Sequence, residues 1–571
     1  MDTITVRLKA ERERLIEEAG LKSAPLRHFK RPREVPFSRA ERGQVTVWFG
    51  GLTLRHEELV QAGLEGLGYH VGVIPTPTKA DFQAGKEFGN NGQCNPTYFT
   101  VGALVNHLAR MRDEQGMPVE QILRDHVFVT AGACGPCRFG MYEAEYRLAL
   151  RNSGFDGFRV LLFQQSGGLD QATGDAGIDF NPPFFLSLLN AIFMGDLLNE
   201  VAYQIRPYEM ESGKTNDVLR RCVALAQEAL RAKRYDDIRP GMLAYALARA
   251  TPVPTAHAAA AFLDQLCGSH YLDILARCRA LIDEEVEVDF TRPKPVCKVT
   301  GEFWAQTTEG DGNFRMFSFL EHEGAEVLVE PVATWITYML HQAAKKARDR
   351  RGLRRNGTAP GRGALRERAR LALAYGRQQV AFALADRIIV REFNRMRREL
   401  GGTAHPLANQ LELTRVGHPY YNSRAGGGEG HLEVAKNIYY TNRELCHMVL
   451  SLKPFGCMPS MQSDGAQAAV VSHFKDMIFL PVETSGEGDI NAFSRVQMAL
   501  GEAKAKSRDE FARAVGQAGY PVEQIRAYVA RHRDLRRPLR PVPHHPGVVG
   551  RAANFVLDVA ARMRAEGRAL R

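Results

Sequence analysis

Short apolar runs alternate with amphipathic stretches along most of the chain. Runs of about four to eight apolar residues between turn residues are typical of buried strands, whereas apolar residues at helical spacing are typical of helices. In the first half, the predicted strands cover 45–49, 70–75, 126–130 and 158–163, and the predicted helices cover 57–67, 100–111 and 143–152. This alternation predicts a parallel sheet with helices on both faces.

The second half repeats this order of elements. Its predicted strands cover 297–303, 326–331, 447–452 and 477–482, and its predicted helices include 314–323, 432–445, one from 466, and the stretch 334–400 with a basic, glycine-containing loop at 351–363. We therefore predict an α/β fold with two parallel-sheet domains related by internal duplication, with extra helices. We predict an N-terminal helix and basic arm at 1–43 and a first α/β domain with a helical extension at 44–292. A second α/β domain, with a basic helical insertion near 341–400, is predicted at 293–540, and a C-terminal basic helix at 541–571.

Two of the predicted strands lead directly into turns that contain cysteine. Residues 130–142 read Thr-Ala-Gly-Ala-Cys-Gly-Pro-Cys-Arg-Phe-Gly-Met-Tyr, which places Cys134 and Cys137 in a Cys-x-x-Cys turn. Residues 453–460 read Lys-Pro-Phe-Gly-Cys-Met-Pro-Ser, around Cys457. Ligands of open α/β sheets bind beyond the carboxyl ends of the strands. The two turns therefore predict one centre, shared between the two halves.

The residues beside these cysteines also bear on the chemistry. Gly135 and Gly456 have no side chain, so the backbone can approach a cofactor closely. Arg138 brings a positive charge next to two sulfurs, and we expect it to favour thiolate over thiol. A further cysteine, Cys94, lies in the polar loop 90–98.

Three kinds of site could use these cysteines. A structural zinc site needs four ligands at tight paired spacing, and the chain has one Cys-x-x-Cys and no histidine at finger spacing. A thioredoxin-like redox pair would use Cys134 and Cys137 but leaves Cys94 and Cys457 unexplained. An iron–sulfur cluster takes cysteine thiolates from separate loops. Those four cysteines would be its ligands, and Cys446 is a possible fifth, with a buried helix-end position as the alternative.

Composition limits the other possibilities. The chain has 571 residues, nine cysteines, 44% hydrophobic and 25% charged residues. Nine cysteines are too few for a disulfide framework in a chain of this length, and we interpret Cys222, Cys267, Cys278 and Cys297 as buried structural residues. No apolar run is expected to reach the length of a membrane span, and the N-terminus lacks a secretory signal, so we expect a cytoplasmic protein without membrane contact.

The net charge of +10 comes largely from basic runs such as 345–370. A basic run can bind nucleic acid or another anionic partner. No aromatic residues are interleaved with these runs and no nucleic-acid motif accompanies them. We therefore interpret them as solvated helical faces and expect no nucleic-acid ligand.

Several motifs together resemble a known family. They are the two cysteine turns, Arg-Pro-Tyr-Glu at 206–209, Val-Thr-Gly-Glu-Phe at 299–303, Glu-Thr-Ser-Gly-Glu-Gly at 483–488 and Ser-Arg-Val-Gln at 494–497. They resemble the C-terminal regions of acyl-CoA dehydratase activase-related proteins, which belong to the 2-hydroxyacyl-CoA dehydratase, benzoyl-CoA reductase and double-cubane cluster protein superfamily. The resemblance spans most of 43–506.

The resemblance implies two flavodoxin-like domains and an oxygen-sensitive iron–sulfur cluster, either 4Fe-4S or a double-cubane 8Fe-9S cluster. It implies a reductase or dehydratase component, a homodimer or heterodimer, that acts on a small-molecule or acyl-CoA substrate with low-potential electrons from a partner ATP-hydrolysing activase. The chain has no P-loop and no actin-like phosphate motif, so ATP hydrolysis is expected on another polypeptide. A non-catalytic electron-transfer or scaffold subunit is the alternative.

Reduction of most substrates needs protons as well as electrons. Glu483 and Glu487 follow a predicted strand, and His418 and His431 flank the glycine-rich loop 426–430. We predict Glu483, Glu487 and His418 as proton donors, with His431 as a further candidate. The alternatives are a turn or capping role for the carboxylates and an ordinary surface position for the histidines.

Overall fold

The computed structural model describes residues 3–20, 37–132, 137–164, 168–169, 177–250, 255–350 and 364–569. The chain divides into two compact units, Met1–Val35 and Pro36–Arg571. The described part of the first unit is helix α1 (Thr3–Glu18), on which Arg14 pairs with Glu11 and Glu18. Both sheets belong to the second unit.

The first sheet contains four parallel strands and a short antiparallel one: β1 (Thr46–Phe49), β2 (His70–Val73), β3 (His126–Gly132), β4 (Arg159–Gln164) and β5 (Gly168–Leu169). Their order is β2-β1-β3-β4-β5, and β5 pairs antiparallel with the end of β4. The four predicted strands are confirmed to within a few residues. The pattern did not predict β5, because two residues are too short for a periodic signal.

The second sheet contains four parallel strands: β6 (Val296–Gly301), β7 (Glu326–Leu328), β8 (Met448–Pro454) and β9 (Ile478–Thr484). Their order is β7-β6-β8-β9, which is the order of the first four strands of the first sheet. It is also the order of a flavodoxin-like sheet. The predicted α/β fold with two such parallel sheets is confirmed, whereas their origin by internal duplication stays a prediction.

Helices cover both sheets and connect them. In the first half they are α2 (Leu54–Gly66), α3 (Lys79–Phe88), α4 (Asn95–Asp113), α5 (Val119–Asp125), α6 (Tyr142–Asn152), α7 (Pro182–Ile205), α8 (Lys214–Ala232), α9 (Met242–Ala250), α10 (Ala256–Cys267) and α11 (His270–Glu285). In the second half they are α12 (Phe303–Thr307), α13 (Met316–His322), α14 (Val332–Asp349), α15 (Ala364–Glu399), α16 (Gln410–Gly417), α17 (Gly430–Asn442), α18 (Met458–His473), α19 (Asp489–Ala518), α20 (Val522–Arg531) and α21 (Arg551–Ala569). Short 3₁₀ turns lie at Arg39–Glu41, Arg138–Met141, Arg206–Tyr208, Asp311–Asn313 and Arg533–Arg536.

The largest hydrophobic core joins helices of both halves. It includes Phe193 on α7, Phe393 on α15 and Phe555 on α21, all fully buried. The rings of Phe193 and Phe393 meet edge to face with their centroids 5.5 Å apart. Edge-to-face packing is a favourable arrangement of aromatic rings, so α7 and α15 hold the two halves together.

Helix α7 corrects one expectation from the sequence. Within Pro182–Tyr208 the chain is long and apolar enough to span a membrane by length and composition, although no such run was expected. Its most apolar window is 78% buried inside the protein. Burial of this kind is typical of the core helix of a soluble protein.

The cysteines outside the predicted site are mostly buried, as expected. Cys222 on α8 and Cys278 on α11 are fully buried against each other's backbone, and Cys297 is buried in β6. The interpretation of Cys267 is wrong, because this residue is exposed. It is the last residue of α10, where the helix face turns toward solvent before Gly268.

Candidate functional site

The loops of Cys94 and Cys457, one from each half, lie against each other at the carboxyl end of the second sheet. The Asn95 amide donates a hydrogen bond to the Phe455 carbonyl oxygen over 3.0 Å. The Asn95 side chain donates another, of 2.7 Å, to the Thr484 carbonyl oxygen at the end of β9. Gly456 has φ +76°, and a Cβ there would lie 3.3 Å from Cys94 Cα. The predicted close approach at Gly456 is therefore an approach to the other cysteine loop.

Cys137 lies beside the same group of loops. A Cβ at Gly428, in the glycine-rich loop, would overlap Pro459 Cγ and lie 3.6 Å from Cys137 Cβ. Pro459 is only two residues from Cys457. Three of the predicted cysteine ligands thus come from loops that meet, although they are far apart in the chain.

Cys134 and Gly135 lie outside the described residues. Across the described ranges, which lack Cys134, no three His, Cys, Asp or Glu side chains are close enough to hold a metal ion. The three cysteines that can be placed would need the fourth to complete a ligand set.

Each of the three placed cysteines stands directly before a helix. Cys94 is the N-cap residue of α4 and Cys457 that of α18, and Cys137 is the N-cap residue of the 3₁₀ turn that leads into α6. The first turn of a helix carries unpaired N–H groups and a partial positive charge. Helix starts of this kind stabilise negative charge, such as that of thiolates.

The thiols of Cys137 and Cys457 nevertheless favour the protonated form. Burial, followed by the charge of Glu429, raises the pKa of Cys137 to about 12. Burial and the charge of Glu302 raise the pKa of Cys457 still further. The effect of Arg138 on thiolate formation stays a prediction. Its guanidinium donates a hydrogen bond to the Gly92 carbonyl oxygen. Arg138 thereby anchors the loop of Cys94.

Two side chains hold the thiol of Cys94. Its Sγ lies 3.2 Å from Thr97 Oγ1 and 3.2 Å from the Tyr142 hydroxyl. Tyr142 is buried, and burial together with the nearby sulfur raises its pKa well above the usual value. Both hydroxyls can donate hydrogen bonds to a sulfur, which is the contact that tunes the potential of sulfur-ligated iron.

Three carboxylates that the sequence analysis did not select lie near the cysteines: Glu429 and Glu433 are buried and Glu302 is half-buried. Glu302 follows β6 and accepts a hydrogen bond of 3.0 Å from the Ala305 amide. Glu429 precedes α17 and accepts one of 3.1 Å from Trp335 Nε1. Glu433, on α17, is fully buried. Glu302 lies in the motif 299–303 and Glu429 in the glycine-rich loop, so both positions carried a signal.

Two of these carboxylates hold protons near neutral pH. Burial, with repulsion from Glu433, raises the pKa of Glu302 to about 7. Burial, with repulsion from Glu302 and Glu433, raises the pKa of Glu429 to about 8. A carboxyl group that titrates near pH 7 can act as both proton donor and acceptor. The cysteine site is therefore lined by groups suited to proton transfer.

The structure does not bring Cys446 to the other cysteines. Cys446 precedes β8 and Cys457 follows it, so the seven-residue strand separates them by roughly 20 Å. Cys446 packs in a small apolar core with Val296 and Val449. Burial raises its pKa to about 12. This position corresponds to the buried alternative for this residue.

The three proton donors predicted from the sequence lie at the surface. Glu483 and Glu487 are exposed near the end of β9, and Glu487 accepts a 3.4 Å hydrogen bond from Gln83. His418 is exposed at the end of α16, with its Nδ1 2.9 Å from Ser423 Oγ. None of the three has a described hydrogen bond to a cysteine of the site.

His431, the further candidate, is buried on α17. Neither of its ring nitrogens has a hydrogen-bond partner in the described part of the chain. Burial and nearby positive groups lower its pKa to about 4. His431 is thus neutral at physiological pH.

In comparisons with known proteins, no family model and no curated protein matches this chain.

Proposed function

We propose that this protein is an iron–sulfur reductase or dehydratase component of the 2-hydroxyacyl-CoA dehydratase and double-cubane type. It receives low-potential electrons from a partner activase that hydrolyses ATP, and it acts on a small-molecule or acyl-CoA substrate. The observation that carries the proposal is the meeting of the Cys94, Cys137 and Cys457 loops, from both halves, at the carboxyl ends of the strands.

The chemistry of these residues fits an iron–sulfur cluster. Cys94, Cys137 and Cys457, together with Cys134, would hold it, because cysteine thiolates are its usual ligands. Metal binding would displace the thiol protons of Cys137 and Cys457, whose pKa values are raised, so it would release protons and be favoured by higher pH. The bound cluster would supply electron transfer at low potential. The helix starts at Cys94 and Cys457 would stabilise its negative charge.

The residues of the chain would control the surroundings of the cluster. Cys94 and Cys457 are each 6% exposed, so the site excludes most water. Glu302 and Glu429 would hold protons beside it without adding negative charge below their pKa values. The proposal includes a location in the cytoplasm, because its free cysteines suit a reducing compartment.

The experiment is to purify the full chain without oxygen and to measure iron and sulfide per chain for the wild type, Cys457→Ala and Cys222→Ala. We expect brown wild-type protein, little iron in Cys457→Ala, and full iron in Cys222→Ala, whose cysteine packs against α11. Losing one small side chain costs on the order of 1 kcal/mol. Circular dichroism should therefore report folded protein for both variants.

Three results would contradict the proposal in whole or in part. Stoichiometric zinc without iron in the wild type would exclude an iron–sulfur cluster. Wild-type iron in Cys457→Ala combined with iron loss in Cys137→Ala would confine the centre to the first half. A cluster capped by cysteine at every iron, with no open coordination position, would identify an electron carrier rather than an enzyme.

A further inference from the structure

A chain of hydrogen-bonding side chains leads from the surface into the cysteine site. Its outer end is Asp464 on α18, whose side chain is 49% exposed and pairs with the ammonium of Lys453. Lys453, at the end of β8, is only 4% exposed, and its Nζ lies 3.5 Å from Ser463 Oγ. A surface carboxylate is thus connected through a buried ammonium to a buried hydroxyl.

The inner end of this chain is centred on Glu433. The Ser463 hydroxyl donates to Glu433 Oε2, and the Ser460 hydroxyl donates to Glu433 Oε1 over 2.7 Å. Ser460 lies three residues after Cys457, in the first turn of α18, and the charge of Glu433 acts on the Cys457 thiol. Glu433 and Ser463 are fully buried and Ser460 is 1% exposed. The five residues Asp464, Lys453, Ser463, Glu433 and Ser460 therefore form a connected path that ends in the first helical turn after Cys457, and we call them the Glu433 path.

We propose that the Glu433 path carries protons from solvent to the cysteine site when electrons arrive there. This inference rests on the proposed function. Adding an electron to a buried site places uncompensated charge in a medium of low dielectric, which is costly unless a proton follows. The path contains the groups that such a transfer needs. These are donors and acceptors connected by hydrogen bonds, and a carboxylate that can keep the proton.

The step balances as follows in atoms and charge. One electron comes from the low-potential donor, and one proton moves from Lys453 through the Ser463 hydroxyl to the Glu433 carboxylate, which becomes a carboxylic acid. The hydroxyl passes on its own proton and receives another. Lys453 recovers its proton from solvent beside Asp464. The net change is one electron and one proton taken up, and no residue of the path is oxidised.

Other charged or titratable groups face Glu433 and will influence its proton affinity. Those that interact with it come from every element packed around it: Glu302 after β6, Glu429 and Lys436 at α17, Tyr421 before α17, and Cys457 at α18. Lys436 is the one cation among these five. Its attraction and the repulsion from Glu302 and Glu429 act in opposite directions, so a substitution at Glu433 itself is the cleanest test.

The test is protein-film voltammetry on the reconstituted full chain at several pH values. For one electron coupled to one proton, a tenfold change in proton concentration shifts the midpoint potential by about 59 mV. We expect the wild type to follow this slope around neutral pH and Glu433→Gln, which keeps the shape of the side chain, to have a shallower slope, to which Glu302 and Glu429 still contribute. A wild-type slope in Glu433→Gln would exclude Glu433 as the proton acceptor. A wild-type cluster whose potential does not change with pH overturns the path and leaves the proposed function standing. A wild type without iron overturns both.

A second set of variants separates the route from its end point. Ser463→Ala removes the link between Lys453 and Glu433, so we expect proton uptake to be slower on the order of 10²-fold. The midpoint potential should then keep the wild-type pH slope at slow scan rates and lose it at fast ones. Ser463→Thr keeps a hydroxyl and should restore fast proton uptake. Ser472→Ala is the matched control, because Ser472 on the same helix is exposed and bonds only to the Ala468 carbonyl oxygen. Wild-type behaviour of Ser463→Ala at every scan rate would exclude this route.

Discussion

Glu57 is the clearest case of a residue whose ionisation opposes folding. Its side chain is 3% exposed, and Oε1 accepts hydrogen bonds from the amides of Gly51 and Leu52. Burial outweighs these bonds and raises the pKa of Glu57 to about 8. The folded protein therefore binds more protons than the unfolded chain between the ordinary glutamate pKa, 4.5, and pH 8. The free energy of unfolding must fall as pH rises through that window.

Glu57→Gln should remove this loss, because the amide keeps an oxygen for both backbone bonds and carries no charge. We expect little change in the free energy of unfolding at pH 5 and a gain at pH 8.5, with up to about 1.4 kcal/mol for each pH unit of the shift. Urea unfolding at both pH values measures it. Glu114→Gln, at an exposed position, is the control. A variant whose stability runs parallel to the wild type across this range would contradict the assignment.

At this scale, the sequence predicted some residues of the candidate site and missed others. Cys137 and Cys457 could be selected because turns after strands are a local signal, and Cys94 because it lies in a polar, glycine-containing loop. The roles of Glu302, Glu429 and Glu433 could not, since they depend on burial among segments that lie far apart in the chain. The contact of Arg138 has the same character: the sequence gives its charge but not the carbonyl oxygen of Gly92 to which it donates a hydrogen bond.

At the scale of elements, strands were predicted more accurately than helix starts. Helices α4 and α18 begin at Asn95 and Met458, well before the predicted starts at 100 and 466. Both begin at the middle residue of a Cys-x-Pro sequence. Proline is favoured in the first turn of a helix because its missing N–H is not needed there. Pro96 and Pro459 therefore indicated where these helices start. A helix start predicted at each proline would have placed both cysteines at helix N-termini.

Two glycines in the second half should respond oppositely to alanine. Gly301 ends β6 with φ +118°, and a Cβ there would overlap the Leu452 carbonyl oxygen in β8. Gly301→Ala should lower the free energy of unfolding by roughly 3 kcal/mol or more, through strain and overlap. Gly465 lies inside α18 with open space around it, so Gly465→Ala should raise that energy by about 0.5 to 1 kcal/mol.

Urea unfolding followed by circular dichroism compares the two variants under one set of conditions. The pair controls for the loss of glycine flexibility in the unfolded chain, which is common to both. Equal effects, or a tolerated Gly301→Ala, would mean that β6 and β8 can separate at this point.

At the scale of the whole molecule, the sequence predicted each sheet but not the core that joins the halves. Each strand is a local apolar run, whereas the partner of a buried helical face cannot be identified from periodicity alone. The contact between Phe193 and Phe393, and that between Phe290 and Phe555 at 5.7 Å, join segments hundreds of residues apart. Phe99 of the first half and Trp304 of the second add a 5.5 Å ring contact near the cysteine site.

This shared core predicts that the halves unfold together. Single-tryptophan proteins can report on each: Trp304→Phe with Trp335→Phe leaves Trp48 in β1, and Trp48→Phe with Trp304→Phe leaves Trp335 in α14. We expect coincident urea transitions by fluorescence. Phe393→Ala should lower the free energy of unfolding by about 3 to 5 kcal/mol and shift both transitions alike.

Leu384→Ala is the control for this experiment. Leu384 lies on the same helix as Phe393 but is 55% exposed, so its removal should move neither transition appreciably. A Phe393→Ala protein in which the Trp335 signal moves while the Trp48 signal stays would identify two halves that are stable independently.

The contact between the Cys94 and Cys457 loops also fixes when the site can come into existence during synthesis. The two cysteines are separated by 363 residues of chain. At about 5 to 20 residues per second, a ribosome takes about 20 to 70 s to pass from one to the other. Throughout that time the first cysteine loop has left the ribosome without the loop it packs against. Any cofactor that needs both must be inserted after the ribosome has passed Cys457.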